Sequence, residues 1–198
     1  GVPREPIQLY GDPENPRVRG VGDQSIDVTD ARHAYGEEVA GQVSDMAGYV
    51  FMSKSPSCGV YRVKVRLDNG QATKKGRGAY AAAVICRCPN LPVEEEGRLN
   101  DPVLRENYVT RLYVWHRWIT LRSKGLTPAG LIDFHTRHKY LVMAHSQAAY
   151  RRMGQLLSHL KGVDLDKVAA DYIDELMAAL QRRVGPSRHV NVLQHIMG

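Results

Sequence analysis

Cys58 is the residue of this chain whose surroundings most clearly suggest chemistry. It lies in the stretch Ser-Pro-Ser-Cys-Gly, between two runs of residues typical of strands. Pro56 fixes one backbone angle and Gly59 permits conformations that other residues avoid, so the thiol is predicted on a shaped loop. In α/β proteins, a loop that follows a buried strand often carries binding and catalytic groups. Cys58 is therefore a candidate metal ligand, nucleophile or redox thiol, and a buried structural cysteine is the alternative.

Three consecutive carboxylates, Glu94–Glu96, form a second candidate group in the stretch LPVEEEGRLND. A short acidic run is usually a solvated surface. Between a proline and a glycine, however, the same carboxylates could supply a general acid or base, or could pair with Arg98 or Arg105. The sequence alone leaves both interpretations open.

Cys86 and Cys88 form a Cys-x-Cys pair. Metal sites more often use Cys-x2-Cys or wider spacing with a second pair elsewhere, and this chain has no such second pair. On a helix, residues two positions apart point away from each other. We therefore predict no metal site from these two cysteines.

Basic and aromatic side chains alternate in the stretch DFHTRHKYLVMAHS and in YRRMG after it. Tyr150 directly before two arginines combines a stacking surface with phosphate-binding charge, which suits RNA. His135 and His138 have a spacing compatible with a metal, but two ligands do not make a site. A solvated helical face is the alternative. The candidate RNA-binding residues are Arg137, His138, Lys139, His145, Arg151 and Arg152.

The net charge of +6 is concentrated in the second half of the chain. Residues 1–110 carry 14 basic and 15 acidic side chains, whereas residues 111–198 carry 13 basic and 6 acidic ones. This asymmetry favours an anionic partner for the second half, nucleic acid being the commonest. Three unevenly spaced cysteines make no disulfide framework, so we expect a reducing cytoplasm. No apolar run is long enough to span a membrane.

The spacing of apolar residues predicts an α/β part, residues 1–123, followed by an all-α part, residues 124–198. In the first part we predict strands in Ile7–Tyr10, AGYVFMS and VYRVKVRLD, helices in Thr29–Met46, GRGAYAAAVICRCPN and Pro102–Arg122, and a loop in LPVEEEGRLND. In the second part we predict helices at Pro128–His145, Ser146–Leu160 and Asp164–Arg183, and another from Pro186. The expected helix caps are Thr29 or Asp30 and Asn100 or Asp101 in the first part, and Thr127, Ser146 and Asp164 in the second.

These motifs together resemble a known family. SKSPSCG after an apolar strand, with GVPREP upstream and LPVEEEGRLND-x3-REN downstream, resembles the thiouracil desulfidases. LIDFHTRHKYLVMAHS and YRRMG resemble the YbgA-type helical domain that is often fused behind them, as in RudS-type tRNA 4-thiouridine desulfidases. The predicted fold is therefore a partial Rossmann-like α/β part followed by an all-α domain. Because the chain starts without an initiator methionine and its last helical pattern runs to Gly198, we expect a fragment cut at both ends.

The resemblance implies a 4Fe-4S cluster that is held by three cysteines and leaves one iron open. Cys58 would be one ligand, and the other two are expected upstream of Gly1, so the chain as given should not hold an intact cluster. A soft thiocarbonyl sulfur suits such an iron, which would act as a Lewis acid while water attacks the ring carbon. Ser55 matches a serine of the family's loop and is the expected proton donor. The resemblance implies that the family's acid is the glutamate of a Cys-Pro-Glu motif, which this chain lacks. Glu95 and Glu96 are left as weaker candidates for that acid.

Two functions follow from this reading. The first is an iron–sulfur-dependent desulfidase that removes sulfur from thiolated uracil, with 4-thiouridine in tRNA as the expected substrate and the helical part as the RNA-binding region. The second is a non-catalytic RNA-binding module on an α/β scaffold. Two further cysteines upstream, one of them in Cys-Pro-Glu, would distinguish the enzyme from the module.

Overall fold

The structure is a computed structural model that describes residues 5–197, apart from the side chain of Pro186. The first four residues of the GVPREP motif lie outside the described residues. The chain forms two compact units, Gly1–Asp101 and Pro102–Gly198. The first unit combines strands and helices and the second is helical, which confirms the predicted fold class.

A four-stranded mixed sheet forms one part of the α/β unit. The described residues of the unit form the strands β1 (Ile7–Tyr10), β2 (Arg17–Gly20), β3 (Tyr49–Phe51), β4 (Val63–Arg66), β5 (Ala72–Gly76) and β6 (Val93–Glu95). The four-stranded sheet has the order β2-β1-β4-β5, with β1 antiparallel to β2 and parallel to β4. Val63 and Val65 are buried and Lys64 and Arg66 are exposed, as the alternating pattern of VYRVKVRLD predicts.

Strands β3 and β6 form a separate parallel pair, in which Phe51 lies opposite Glu95. The predicted loop in LPVEEEGRLND is therefore wrong, because it contains β6 and a short 3-10 helix, Arg98–Asn100. The run of three carboxylates is of a kind that is usually exposed to solvent, yet Glu94 and Glu95 are each only 3% exposed. Glu94 pairs with Arg98, one of the two partners that the sequence suggested, whereas Glu95 accepts N–H groups from Val60 and Tyr61, which lie far away in the chain and are not shown by the local pattern.

Two helices complete the α/β unit, α1 (Thr29–Val43) and α2 (Ala79–Arg87). They approach closely at Gly36, where a Cβ atom would lie 2.7 Å from the Cβ of Ala83. The predicted cap of α1 is wrong, because Val28 occupies the cap position. Thr29 lies inside the helix, and its hydroxyl accepts the Val18 N–H at 2.7 Å, so this side chain ties α1 to β2 instead.

The described residues of the second unit form five helices, and three of them begin at the capping residues that the sequence predicts. Thr127 accepts the Gly130 N–H, Ser146 accepts the Ala149 N–H, and Asp164 accepts two N–H groups of the next turn. These hydrogen bonds satisfy amides that a helix cannot pair internally. The helices are α3 (Pro102–Ser123), α4 (Pro128–His145), α5 (Gln147–Leu157), α6 (Leu165–Leu180) and α7 (Pro186–Met197).

The core of the helical unit is an aromatic cluster of Trp118, Phe134 and Tyr172 from α3, α4 and α6. The ring centroids of Trp118 lie 5.3 Å from Phe134 and 6.0 Å from Tyr172. The division of the structure at residues 101 and 102 differs from the sequence boundary at 123 and 124, because α3 contributes Val114 and Trp118 to this core. Among residues 5–197, no helix has the length and apolar character that a membrane crossing requires.

Candidate functional site

The loop that carries Cys58 begins where two parallel strands end. We define the Cys58 loop as residues 52–62, which follow β3, with β6 lying beside that strand. The carboxyl ends of parallel strands are a common place for ligands in α/β proteins. Ser53 anchors the start of the loop, because its N–H and O–H both donate to the carboxylate of Glu96, at 2.6 and 2.8 Å.

Ser55 organises the turn that presents the cysteine. Its Oγ accepts the N–H groups of Ser57 and Cys58 at 3.2 and 3.1 Å, and its carbonyl accepts the Gly59 N–H at 2.8 Å. Since both amides point at the Oγ lone pairs, the hydroxyl proton is directed away from them and can be donated outward. Ser55 and Cys58 are both half-buried, so the predicted donor and the predicted ligand lie on one small, partly accessible turn.

The two ends of the Cys58 loop have unusual backbone angles. Lys54 and Arg62 adopt φ values of 61° and 57°, in the left-handed region that costs most residues about 1 kcal/mol or more. Gly59 is not in that region. It is required by close packing instead, since a Cβ there would lie 2.4 Å from Cγ2 of Val63 and 2.8 Å from the Ser55 carbonyl oxygen.

The Cys58 loop also packs on the first turn of α2. The Pro56 and Ser57 carbonyls accept the N–H groups of Ala79 and Ala81, at 3.4 and 3.1 Å. Loop backbone therefore satisfies the free amides at the start of this helix, where no side chain caps it. The position of the cysteine is thus coupled to α2 as well as to β3.

Substitution of Gly78 tests the coupling between the Cys58 loop and α2. A Cβ at Gly78 would lie 2.2 Å from the Ser57 carbonyl oxygen and 2.9 Å from the Cys58 nitrogen, and neither backbone atom can move without moving the loop. We expect Gly78→Ala to lower the free energy of unfolding of the α/β unit by about 1 to 3 kcal/mol. Hydrogen exchange of the loop amides measures the effect.

Gly41→Ala is the matched control for this substitution. Among the described residues, a Cβ at Gly41 meets nothing within 4 Å beyond its own helix, so alanine should stabilise α1 by about 0.5 to 1 kcal/mol. Equal exchange rates in Gly78→Ala and the unsubstituted protein would show that the loop does not depend on α2.

Glu95 holds the far end of the Cys58 loop. Its Oε1 accepts the N–H groups of Val60 and Tyr61 at 2.7 and 2.9 Å. With only 3% of the residue exposed, the carboxylate lies beneath the loop. The structure therefore gives Glu95 a positioning role, where the sequence suggested a proton donor or acceptor.

Glu94 and Glu96 also help to hold the Cys58 loop in place. Glu94 pairs with the Arg98 guanidinium at 2.6 Å, and that guanidinium lies 4.2 Å from the centre of the Tyr61 ring. The hydrogen bonds from Ser53 lower the pKa of Glu96, so Glu96 is ionised at neutral pH and is not a general acid. Arg105, the other predicted partner of these carboxylates, lies on α3 in the second unit.

Tyr80 is a candidate site residue that the sequence analysis missed. Its hydroxyl lies 2.9 Å from that of Tyr49, and its ring stacks on Tyr35 with centroids 5.5 Å apart. Burial raises the pKa of Tyr80, and its hydrogen bond with Tyr49 raises it further. Tyr80 is therefore a neutral hydroxyl, and it lies between Ala79 and Ala81, whose N–H groups donate to carbonyls of the Cys58 loop. The only sequence signal was one aromatic residue in the alanine-rich stretch AYAAA.

The other two cysteines lie at the opposite end of α2. Cys86 is exposed in the last turn, and Cys88 follows the helix with its Sγ 3.5 Å from the Ala40 carbonyl oxygen. Burial raises the pKa of the Cys88 thiol. Residues 5–197 contain no group of three or more histidine, cysteine, aspartate or glutamate side chains placed to hold a metal. A cluster held by three cysteines therefore does not fit these residues alone.

The helical unit places two of the predicted RNA-binding residues in its interior. His138 and His145 are 2% and 5% exposed, and the Nδ1 of each lies 2.7 Å from a carbonyl oxygen, of Phe134 and Arg182 respectively. Both rings therefore offer little surface to RNA, which does not favour the contact predicted for these two histidines. His135 is half-buried, with its Nδ1 3.3 Å from the Tyr172 hydroxyl.

The four remaining RNA-binding candidates differ in how free their charges are to contact RNA. Arg137 pairs with Asp133 at 2.8 Å, and Arg152 pairs with Glu175. Lys139 is half-buried, with its Nζ 5.1 Å from the centre of the Tyr140 ring. Arg151 is exposed and forms no ion pair among the described residues. Of this set, Arg151 is the arginine whose charge is open to a partner.

Comparison with known proteins adds family matches to both units. Residues 1–96 match the family described as 2-thiouracil desulfurase, and residues 139–198 match a protein family of unknown function, DUF1722. The chain is also similar to the uncharacterized protein YbgA of Escherichia coli (strain K12), with 31% identity over 94 residues. That stretch is 47% of this chain and 56% of YbgA, so the chain spans little more than half the length of that relative. No solved structure matches the chain.

The two matched regions occur in the order that the sequence motifs indicated. The Cys58 loop, with β3, β6 and α2, lies in the first region, and Arg151 and Arg152 lie in the second. The chain thus has a region similar to 2-thiouracil desulfurase followed by a region similar to YbgA, which agrees with the family resemblance of its sequence.

Proposed function

We propose that this chain is part of an iron–sulfur-dependent desulfidase that removes sulfur from thiolated uracil, with 4-thiouridine in tRNA as its substrate. The observation that carries the proposal is the Cys58 loop, where Ser55 and Cys58 share one turn at the ends of two parallel strands. This loop lies in the region that matches 2-thiouracil desulfurase. The helical unit would bind the RNA, in keeping with its excess of basic side chains.

The proposed cofactor is a 4Fe-4S cluster with Cys58 as one of three ligands. A cysteine thiolate is the ordinary ligand of such clusters, and Cys58 is free and half-buried. The other two ligands remain a prediction for segments outside residues 1–198. Three cysteines without a disulfide also support the predicted reducing, cytoplasmic environment.

The described residues would bind and orient the substrate around this thiol. The Ser55 hydroxyl is the proposed proton donor, because its lone pairs accept two amides and its proton is free to point outward. The Tyr80 hydroxyl is held neutral by burial and offers a second hydrogen-bonding group on the first turn of α2, on which the Cys58 loop packs. Glu95 and Glu96 fix the two ends of the loop, so neither needs to exchange protons with the substrate.

A non-catalytic RNA-binding module is the second candidate. The excess of basic side chains in the helical unit supports it, because RNA binding by that unit requires no cluster. The two functions make different predictions for iron, since only the desulfidase requires Cys58 to hold a cluster.

Iron loading of the full-length protein under anaerobic conditions tests the proposed function. We expect about four iron atoms per chain with the visible absorption of a cluster. Cys58→Ala should lose most of this iron, whereas Cys86→Ala should retain it, because Cys86 is an exposed thiol at the far end of α2. A Cys58→Ala protein that holds as much iron as the Cys86→Ala protein would exclude Cys58 as a ligand.

A further inference from the structure

The helical unit contains a cleft that the site around Cys58 does not use. It lies between α5 and α7, with part of α4 at its base, and has a volume of about 580 Å³. This volume is in the range of pockets that hold small organic ligands. We call it the α5–α7 cleft and define it by Tyr150, Arg151, Arg188, Asn191 and His195, which line it.

The charge of the α5–α7 cleft is positive. Arg151 and Arg188 line it, and none of its described lining residues is acidic. Arg188 is fixed by a hydrogen bond from its Nη1 to the His145 carbonyl oxygen at 3.0 Å, which leaves its other N–H groups available. Two guanidinium groups without a carboxylate in the same cleft form a site for a phosphate.

Arg151 differs from several other arginines of the helical unit, which form ion pairs with acidic side chains. Arg152 is bound to Glu175, and Arg122 and Arg137 are bound to Asp166 and Asp133. No such acidic partner is found for Arg151 among residues 5–197. The unit therefore neutralises Arg122, Arg137 and Arg152 with its own carboxylates, whereas neither Arg151 nor Arg188 in the cleft forms an ion pair among the described residues.

Flat side chains line the same cleft. Tyr150 and His195 offer rings, and the Asn191 amide offers both a donor and an acceptor. The ring of Tyr140 lies 6.1 Å from that of His195, which extends this surface along α4. Rings for stacking beside guanidinium groups for phosphate are what proteins use to bind single-stranded nucleic acid.

The surface continues past Tyr150. A second, more open depression is lined by Tyr150, Arg151, His135, Gln155 and Ser158. Tyr150 and Arg151 therefore border both depressions. His138 and His145, in contrast, are buried and line neither depression.

We infer that the α5–α7 cleft binds an unpaired nucleotide of RNA, with the phosphate at Arg151 and Arg188 and the base against Tyr150 or His195. The inference rests on the proposed function, in which the helical unit binds RNA, and it names the binding residues. It replaces the six-residue set predicted from the sequence, in which Arg151 and Arg152 were equivalent.

Arg151→Gln and Arg152→Gln in the full-length protein form a matched pair for testing the cleft. Binding of tRNA is measured by fluorescence anisotropy over a series of salt concentrations. We expect Arg151→Gln to weaken binding about tenfold and to reduce the slope of affinity against salt by about one, as for the loss of one phosphate contact. Arg152→Gln should bind within about twofold of the unsubstituted protein, because Arg152 is already paired with Glu175.

Tyr150→Leu tests the stacking half of the site. Leucine retains apolar bulk against the core but offers no ring, so we expect binding about tenfold weaker with an unchanged salt slope. Equal effects of Arg151→Gln and Arg152→Gln, or no effect of either, would overturn the inference. Tighter binding of an acidic peptide than of tRNA would overturn it as well.

Sulfide release from free thiouracil separates this inference from the proposed function. Arg151→Gln should leave that activity unchanged, because the base alone carries no phosphate. If the protein releases no sulfide from any substrate but Arg151→Gln still weakens tRNA binding, nucleotide binding in the α5–α7 cleft is supported and the desulfidase activity is excluded. If the unsubstituted protein releases sulfide but does not bind tRNA, the cleft assignment is wrong and the desulfidase remains.

Discussion

Glu95→Ala is expected to lower the free energy of unfolding of the α/β unit by about 3 kcal/mol and to release the Cys58 loop. The buried Glu95 carboxylate accepts the N–H groups of Val60 and Tyr61. Hydrogen bonds to charged groups contribute about 1.5 to 3 kcal/mol each, and a buried donor without its acceptor retains the cost of its lost hydration. Alanine removes the acceptor of both amides at once, so the loss exceeds that of an ordinary surface substitution.

Glu95→Gln and Glu96→Ala are the controls for this prediction. Glutamine retains an oxygen for the two amides and should cost about 1 kcal/mol. Glu96 is exposed and holds Ser53 at the loop entrance, so its substitution should alter the loop but leave the unfolding midpoint nearly unchanged. Denaturant unfolding measures the midpoints, and exchange of the Val60 and Tyr61 amides reports on the loop. An unchanged midpoint in Glu95→Ala would show that the carboxylate does not support the unit.

Acidification is expected to destabilise the helical unit through its buried histidines. Burial lowers the pKa of His135, His138 and His145, and nearby positive charges lower it further. A group with a lowered pKa in the folded state binds a proton more readily when the chain is unfolded. Stability is therefore complete above the unfolded value of about 6.5 and is lost as the pH falls below it.

The geometry of His138 explains why this ring is held neutral. A carbonyl oxygen only accepts, so the Nδ1 facing Phe134 carries the hydrogen, and Nε2 is left facing the Arg117 guanidinium at 3.5 Å. Protonation of Nε2 would place a second cation against Arg117. His145 has the same arrangement, with Nδ1 donating to the Arg182 carbonyl and the charges of His189 and Arg188 nearby.

The size of the acid effect follows from the difference in proton binding between the unfolded and the folded protein. Each buried histidine contributes at most about 1.4 kcal/mol per pH unit below its unfolded pKa, so His138 and His145 together give a slope of up to about 3 kcal/mol per unit. Denaturant unfolding at about pH 7.5 and about pH 5.5, followed by the fluorescence of Trp115 and Trp118, measures it. His138→Gln should flatten the dependence. Equal stability at the two pH values would contradict the buried, neutral histidines.

Local signals made much of the fold predictable from the sequence. The second-half helices begin at Thr127, Ser146 and Asp164 because each cap contacts amides only two or three residues away. Strand β6 could not be predicted in this way. Its Glu95 is buried only because Val60 and Tyr61 donate to it from 35 and 34 residues away in the chain.

The candidate site was predictable to a similar extent. The sequence indicated Cys58 and Ser55, since a proline, serines and a glycine mark the turn directly. Tyr80 was missed because its partner Tyr49 is 31 residues distant. The difference between Arg151 and Arg152 depends on Glu175, which lies 23 residues further along and on another helix.

Sulfide release from thiouracil by the full-length, anaerobically loaded protein tests the central claim most directly. The account predicts that sulfide and uracil form in equal amounts, that Cys86→Ala matches the unsubstituted protein, and that Cys58→Ala releases no sulfide. Sulfide release by Cys58→Ala at the rate of Cys86→Ala, or no release by a protein with a full complement of iron, would contradict it.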